Sequence, residues 1–576
     1  MKKLYLINLF VTVIGFFHSN AQGTWTKLTN AAPYGSNGNM LLLSDGTVMS
    51  KTSSGGSDGN GSLWVKLTPD SKGSYVNGTW STTIPAMHNT RLYFSSQVLK
   101  NGRVYVAGGE YGNGTNYGET YDPLTNIWTM CPNLNTTISD ANSIMLENGK
   151  VLQALVVGSL TNTVIYNPVS NTYSNGPSTA GINNESSWVK LKDNSIIMVD
   201  RDSRTSERYI QSQNKWISDG NVPVDLFVNS ETGAAFLLPD GRTFFIGAPG
   251  TTAYYTPSGT TSPGTWQAGP TIPNGYGSPD AAAAMMVNGK IICAFSPIGT
   301  ASNAYPAPTK FYEFDYLNNA FTLISAPGGA SSLNISCYST QMLDLPDGTV
   351  LYTQTGSKNY YIYTPGGTPL ASGKPTIGNI TAQNSCKSFT ITGTLFNGIS
   401  EGAVYGDDEQ MATNYPIIRL TSGTNVYYAR TYNWNSTGVQ RGTKPDTTQF
   451  TLPVGLPNGT YSLVVTANGI ASDPVSFTYP CITTGIAETE NINYNTMLVY
   501  PNPTDNQVTL AFNVTDGGKY LICVLDVLGR TVIEETGEAA QGDNSHLMQL
   551  DGIAKGIYTI MLQKGENVFK TKLMVK

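Results

Sequence analysis

Eight residues ahead of a recurring Asp/Asn-led turn stand Asn37, Tyr93, Asp140, Glu185 and Asp280; two further units place Glu231 and Tyr338 nine residues ahead, with Thr232 and Ser339 at eight. In this register four carboxylates and two phenols ring one entrance. At about 8 Å and an effective dielectric near 20, two carboxylates repel by roughly 2 kcal/mol, so several together need relief. A Ca²⁺ ion, protonation of one carboxylate, or arginines would supply it, and Arg91, Arg201 and Arg204 are near in sequence. Carboxylates accept hydrogen bonds from sugar hydroxyls and tyrosines stack on sugar faces, so such a ring suits a polyhydroxylated ligand. A carboxylate pair about 5 to 9 Å apart could instead perform acid/base chemistry on a glycosidic bond; Asp140, Glu185, Glu231 and Asp280 are the candidates. The plainer alternative is a set of solvated polar residues on turns.

The elements that would position these side chains follow from the turns. Asp45-Gly46, Asn101-Gly102, Asn148-Gly149, Asp193-Asn194, Asp240-Gly241, Asn288-Gly289 and Asp347-Gly348 each sit between two apolar runs, at steps of 56, 47, 45, 47, 48 and 59 residues. Asn-Gly and Asp-Gly pairs suit a type I′ hairpin, and repetition at about 40 to 50 residues is the period of a four-stranded propeller blade. The spacing predicts an all-β chain led by a seven-bladed β-propeller over residues 22–372. Later in most units an aromatic residue, a turn and a second aromatic follow, as in Tyr121-Asp122-Pro123 before Trp128 and Tyr255-Thr256-Pro257 before Trp266. The seventh unit has Tyr363-Thr364-Pro365 but no later tryptophan, whereas Gly23-Thr24-Trp25 repeats the triplets at Gly78 and Gly264. The N-terminal strand is therefore expected to complete the last blade, which removes exposed sheet edges.

Composition fits an exported β-protein: charge is sparse and three histidines occur in 576 residues. A net charge of −6 without a lysine/arginine block disfavours nucleic-acid binding. Met1-Lys2-Lys3, an apolar stretch from Leu4 to Phe17, and Ser19-Asn20-Ala21 before Gln22 form a secretory signal peptide, residues 1–21, too short for a comfortable membrane span. No later segment is apolar for long enough to cross a bilayer.

Residues 373–481 alternate apolar and polar positions between turns, as in an immunoglobulin-like sandwich. Cys386 lies near its start and Cys481 at its end; in an oxidising compartment they could pair, closing about 95 residues and stabilising the domain by roughly 4 to 5 kcal/mol in the chain-entropy model. Cys131, Cys293, Cys337 and Cys523 lack metal-ligand spacing, and Cys293 reads as a buried small residue. Residues 482–496, without apolar periodicity, read as a linker. From 497 to 576 the chain reads as a small β-sandwich carrying Tyr500-Pro501-Asn502-Pro503, Leu525-Asp526-Val527-Leu528-Gly529-Arg530, Lys555-Gly556-Ile557-Tyr558 and a basic terminus around Lys570, Lys572 and Lys576. In that order these resemble the C-terminal sorting domain of the type IX secretion system. The resemblance implies engagement of that machinery, outer-membrane export, and release or surface anchoring.

The propeller followed by the sandwich, Gly23 to Cys481, resembles galactose oxidase and the glyoxal oxidases. Its strongest pieces are Tyr405-Gly406-Asp407-Asp408-Glu409-Gln410, continuing into Tyr415-Pro416-Ile417-Ile418-Arg419-Leu420, and the kelch-like Asn101-Gly102-Arg103-Val104-Tyr105-Val106-Ala107-Gly108-Gly109. The resemblance implies oxidation of primary alcohols or aldehydes at a copper held by two tyrosines and two histidines, one tyrosine being cross-linked to a cysteine. Tyr93 falls at the cross-linked tyrosine and Tyr338 at the second. The histidine after the latter is Ser339, the cysteine position is Asn37, and the sandwich histidine is Gln410. Neither serine nor a glutamine amide replaces imidazole at copper(II), so copper is not expected. His88 alone precedes the sorting domain in the mature chain; a Ser-His-Asp arrangement could arise only through it. No phosphate-cradling glycine loop is followed by Lys-Ser/Thr. The expected function is a secreted or surface protein that binds glycan or another polymer at the mouth, the alternative being a carbohydrate-active or oxidase-type enzyme there. Pure protein adhesion through the blade faces leaves no trace in the residues.

Overall fold

The computed structural model describes residues 22–139, 142–155, 160–383, 386, 388–402, 413–480, 497–565 and 567–576. The residues expected as signal peptide (1–21) and linker (482–496), and Asp140, Gln410 and Cys481, lie outside them. Two compact units form, Met1–Ile482 and Thr483–Lys576, and the described residues are β throughout apart from short 3-10 turns.

The first unit opens with seven sheets built on successive antiparallel strands, for example Ser95–Val98, Val104–Ala107, Gly118–Asp122 and Ile127–Met130. The recurring turn has a different geometry from the expected type I′. Only its last residue is left-handed (Gly102 at φ 77°, Asn194 at φ 65°). The Leu99 carbonyl accepts from Gly102 N, and Leu99 N donates to Arg103 O. This is a type I turn closed by a glycine bulge. The Asp/Asn residue is needed for its side-chain oxygen: Asn101 Oδ1 accepts from Arg103 N at 3.1 Å, and Asp45, Asn148, Asp193, Asp240, Asn288 and Asp347 accept in the same way from the amide two residues on.

Innermost strands begin at Ser36, Ser95, Ser143, Val189, Ala235, Ala283 and Thr340, and a circuit of polar links joins each sheet to the next. Ser36 donates to Gln341 (2.6 Å), Asn39 to Ser96 (2.7 Å), Gln97 to the Ser143 carbonyl (2.8 Å), Asn142 to the Ser186 carbonyl, and Ser187 to the Gly233 carbonyl (3.1 Å). Asp280 N to Thr232 O and Cys337 Sγ to Pro279 O complete it. Buried polar groups must be paired, and here the pairing runs from sheet to sheet around the circuit. The last sheet is finished by Thr24–Lys27, which pairs with Tyr361–Thr364. Trp25 packs on Phe311, Tyr352 and Tyr363 and donates its indole N–H to Ser325 O.

Strands from Thr376 to Tyr479 form an antiparallel sandwich over Phe389, Ile391, Ile418, Leu420, Phe450, Leu463 and Phe477. Its segment Glu401–Gly402 adds a strand beside Ala235–Leu237 of the fifth sheet. Cys386 is disulfide-bonded, and Cys131, Cys293, Cys337 and Cys523 are free and buried.

The second unit packs a three-stranded and a four-stranded sheet over Val508, Leu510, Ile522, Met548, Ile560 and Leu573. Its Leu525 to Arg530 phrase is a hairpin tip in which Asp526 Oδ1 accepts from Leu528 N and Arg530 N. No helix among the described residues is long and apolar enough to cross a membrane.

Candidate functional site

The innermost strands are entered through left-handed residues. Tyr93 (φ 53°), Glu185 (φ 57°) and Asp280 (φ 49°) occupy this conformation without being glycine, and Gly38 (φ 97°) takes the neighbouring place in the first sheet. For a branched or bulky residue this costs about 1 kcal/mol or more, and such costs concentrate at working sites.

Three of the expected acids converge. Carboxylate oxygens of Glu185, Glu231 and Asp280 lie within 4.8 Å of one another. Glu185 is buried, the other two half-buried. The Tyr305 hydroxyl donates to Glu231 Oε1 at 2.7 Å, and Asn184 Nδ2 donates to Glu185 at 3.3 Å. Burial first, and then the Asp280 charge, push Glu231 up to about 8, against the Tyr305 hydrogen bond and the more distant Arg201. At neutral pH the Glu231/Asp280 pair therefore holds a proton. The same burial and negative surroundings push the Tyr305 phenol far up.

Aromatic rings flank the acids. Tyr338 is 38% exposed and lies 4.8 Å from Tyr305, centroid to centroid. Tyr93 meets Tyr111 at 6.1 Å, and Tyr111 is 50% exposed. Glu110, whose backbone N–H donates to Tyr93 O, is raised by burial and feels Glu231.

The remaining expected residues make other contacts. Asn37 is buried and donates to Asn60 O at 3.3 Å. Ser339 is held by backbone bonds, its N–H to Ser336 O and its carbonyl to Thr355 N. Of the three arginines expected as counter-charges, Arg201 alone serves, through Asn184. Arg91 is fully buried on Glu119 and on the carbonyls of Gly108, Gly114 and Tyr117, and Arg204 faces Asp225 at 3.5 Å. Their sequence neighbourhood did not reveal which loop each would staple. Tyr305, Glu110 and Asn184 lie on loops and Tyr111 on the short strand Tyr111–Gly112 paired with Arg91–Leu92, so all four escaped the strand-entry register. The one available signal was that loops joining second and third strands emerge on the same side as the inner strand entries.

Residues 498–576 match a family described as the secretion system C-terminal sorting domain. The C-terminal unit is a type IX sorting domain. It exports the chain to the cell surface or beyond. Residues 97–135 match the kelch motif. Among solved structures the chain is similar to a fungal alcohol oxidase of the AA5 family, solved in complex with copper, at 14% identity and a TM-score of 0.48, over 80% of this chain and 99% of that one. No curated protein matches significantly.

The copper set implied by the sequence resemblance does not fit these residues. Tyr338 is followed by Ser339 in place of an imidazole, Asn37 offers an amide at the position the resemblance assigns to a thiol, and Gln410 lies outside the described residues. His88 has its Nδ1 2.8 Å from the buried Glu119 carboxylate. Among the described residues, the group able to gather round an ion is all-carboxylate, a donor set for hard cations such as Ca²⁺ and not for copper(II).

Proposed function

We propose that this exported protein binds a polyhydroxylated ligand, a glycan or a similar extracellular polymer, at the propeller mouth, without copper-radical oxidation. The observation that carries the reading is the convergence of Glu185, Glu231 and Asp280 beside the Tyr305/Tyr338 pair. Carboxylates accept from hydroxyl pairs, a tyrosine face covers a sugar ring, and a Ca²⁺ held by the three acids would offer further positions to ligand oxygens. Type IX export supports a ligand met outside the cell.

A second reading is favoured by one observation. The Glu231 and Asp280 carboxylates lie within 4.8 Å of each other, and burial together with the Asp280 charge pushes Glu231 upward; environments that push two neighbouring carboxyls apart are how an acid/base pair is made. That reading requires turnover of a glycosidic bond.

The first test is the metal content of the purified chain after equilibration with copper and calcium salts and desalting, followed by glycan binding and product analysis. Retained calcium and saturable glycan binding without products support the binding reading. Stoichiometric copper with alcohol oxidation would overturn it, and released sugars would move the assignment to the enzyme.

A further inference from the structure

The mouth carries two aromatic stations. Among the described residues of the first unit, the exposed aromatic side chains are Tyr111 at 50% and Tyr338 at 38%. Both stand at the mouth, each beside a second tyrosine, and the other described rings of this unit are buried or half-buried. An exposed aromatic residue on a rigid scaffold is a feature of binding surfaces. Tyr111 opens the short strand Tyr111–Gly112, paired with Arg91–Leu92 between the second and third strands of the second sheet, and Tyr338 precedes the innermost strand of the seventh.

The stations are joined through the acids. Tyr338 packs on Tyr305, whose hydroxyl donates to Glu231. On the other side Glu110, next to Tyr111 and hydrogen-bonded to it, is close enough to Glu231 for their charges to interact. The strip therefore runs from an exposed ring, over hydrogen-bond acceptors, to a second exposed ring.

We propose that the mouth takes an extended polysaccharide chain of at least three sugar rings, with the outer rings stacked on Tyr111 and Tyr338 and a middle ring on the carboxylates; this rests on the glycan reading above. A single sugar can face one tyrosine pair, which leaves the other station wet.

The test uses the full mature chain against matched series of one to six rings, covering neutral and acidic sugars on an array, with calorimetry on the best series. Affinity is expected to rise at least about tenfold from one ring to three and then level off. Tyr111→Ala and Tyr338→Ala are each expected to lose about threefold to tenfold on the long ligand, with only a small drop in melting temperature because each ring is partly exposed and packs on a single tyrosine. A single sugar bound as tightly as six rings would overturn the chain proposal and leave the glycan reading standing. Absence of binding to any sugar at any length would overturn both.

Discussion

The Tyr305 hydroxyl lies 2.7 Å from Glu231 Oε1, although the two residues are 74 apart in sequence. It is the donor that partly offsets the crowding of Glu231 by burial and by Asp280. Tyr305→Phe removes that donor and leaves the volume. The Glu231 carboxyl, pushed up to about 8 by burial and the Asp280 charge, should move up by about one further pH unit, the worth of one hydrogen bond to a charged group. Carbon-detected NMR of labelled glutamate side chains reads this directly, and a downward move would refute the assignment.

Glu231 also makes stability depend on pH. Its folded value of about 8 lies above the ordinary 4.5, so below 4.5 both folded and unfolded chains hold the proton. Between 4.5 and 8 the unfolded chain releases it and the folded chain keeps it. Stability contributed by this group therefore falls as pH rises through that window and is level above it. Glu231→Gln should flatten the slope, measured by urea denaturation at pH 5 and pH 8.5.

Asp344 provides an independent case far from the mouth register. It is buried at 3% exposure, its Oδ2 has no hydrogen-bond partner, and burial holds its carboxyl well above the usual range. Asp344→Asn should gain stability relative to the native chain as pH rises from 4 to 8, since only the native chain must keep a proton there. Equal differences at both pH values would sink this account.

Arg91 and Glu119 form an ion pair at 3.0 Å with neither side chain exposed, and the Arg91 guanidinium also donates to three carbonyls of the loop that carries Tyr111. Lysine cannot reproduce that planar fork. Arg91→Lys should cost about 3 kcal/mol, as for other broken buried pairs, and should weaken whatever the Tyr111 station binds. Thermal denaturation and the oligosaccharide titration report the two effects separately.

Trp25→Ala tests closure of the last sheet. The indole fills a gap between Phe311, Tyr352 and Tyr363, and because it is half-buried the loss should be about 2 to 3 kcal/mol. Protease susceptibility should rise first around Thr24–Lys27 and its partner Tyr361–Thr364.

The residues themselves determined the repeat, the closing strand and the sorting domain, because each depends on local chemistry. Asp or Asn at a turn caps the amide two residues on, aromatic residues mark outer strands, and the Leu525 to Arg530 phrase makes its own hairpin. Such signals act over a few residues and survive in one dimension. The same pattern put Glu185, Glu231 and Asp280 in one register, and their carboxylates converge. It misjudged the turn type, since composition marks where a chain turns but not which residue takes positive φ. Tertiary structure alone decided that Tyr305 reaches Glu231, that Arg91 is spent on Glu119, and that Tyr111 and Tyr338 stay exposed while the other described rings of the first unit are buried or half-buried. These depend on loops of unequal length brought together by the order of the sheets, and no short-range rule carries that information along the chain.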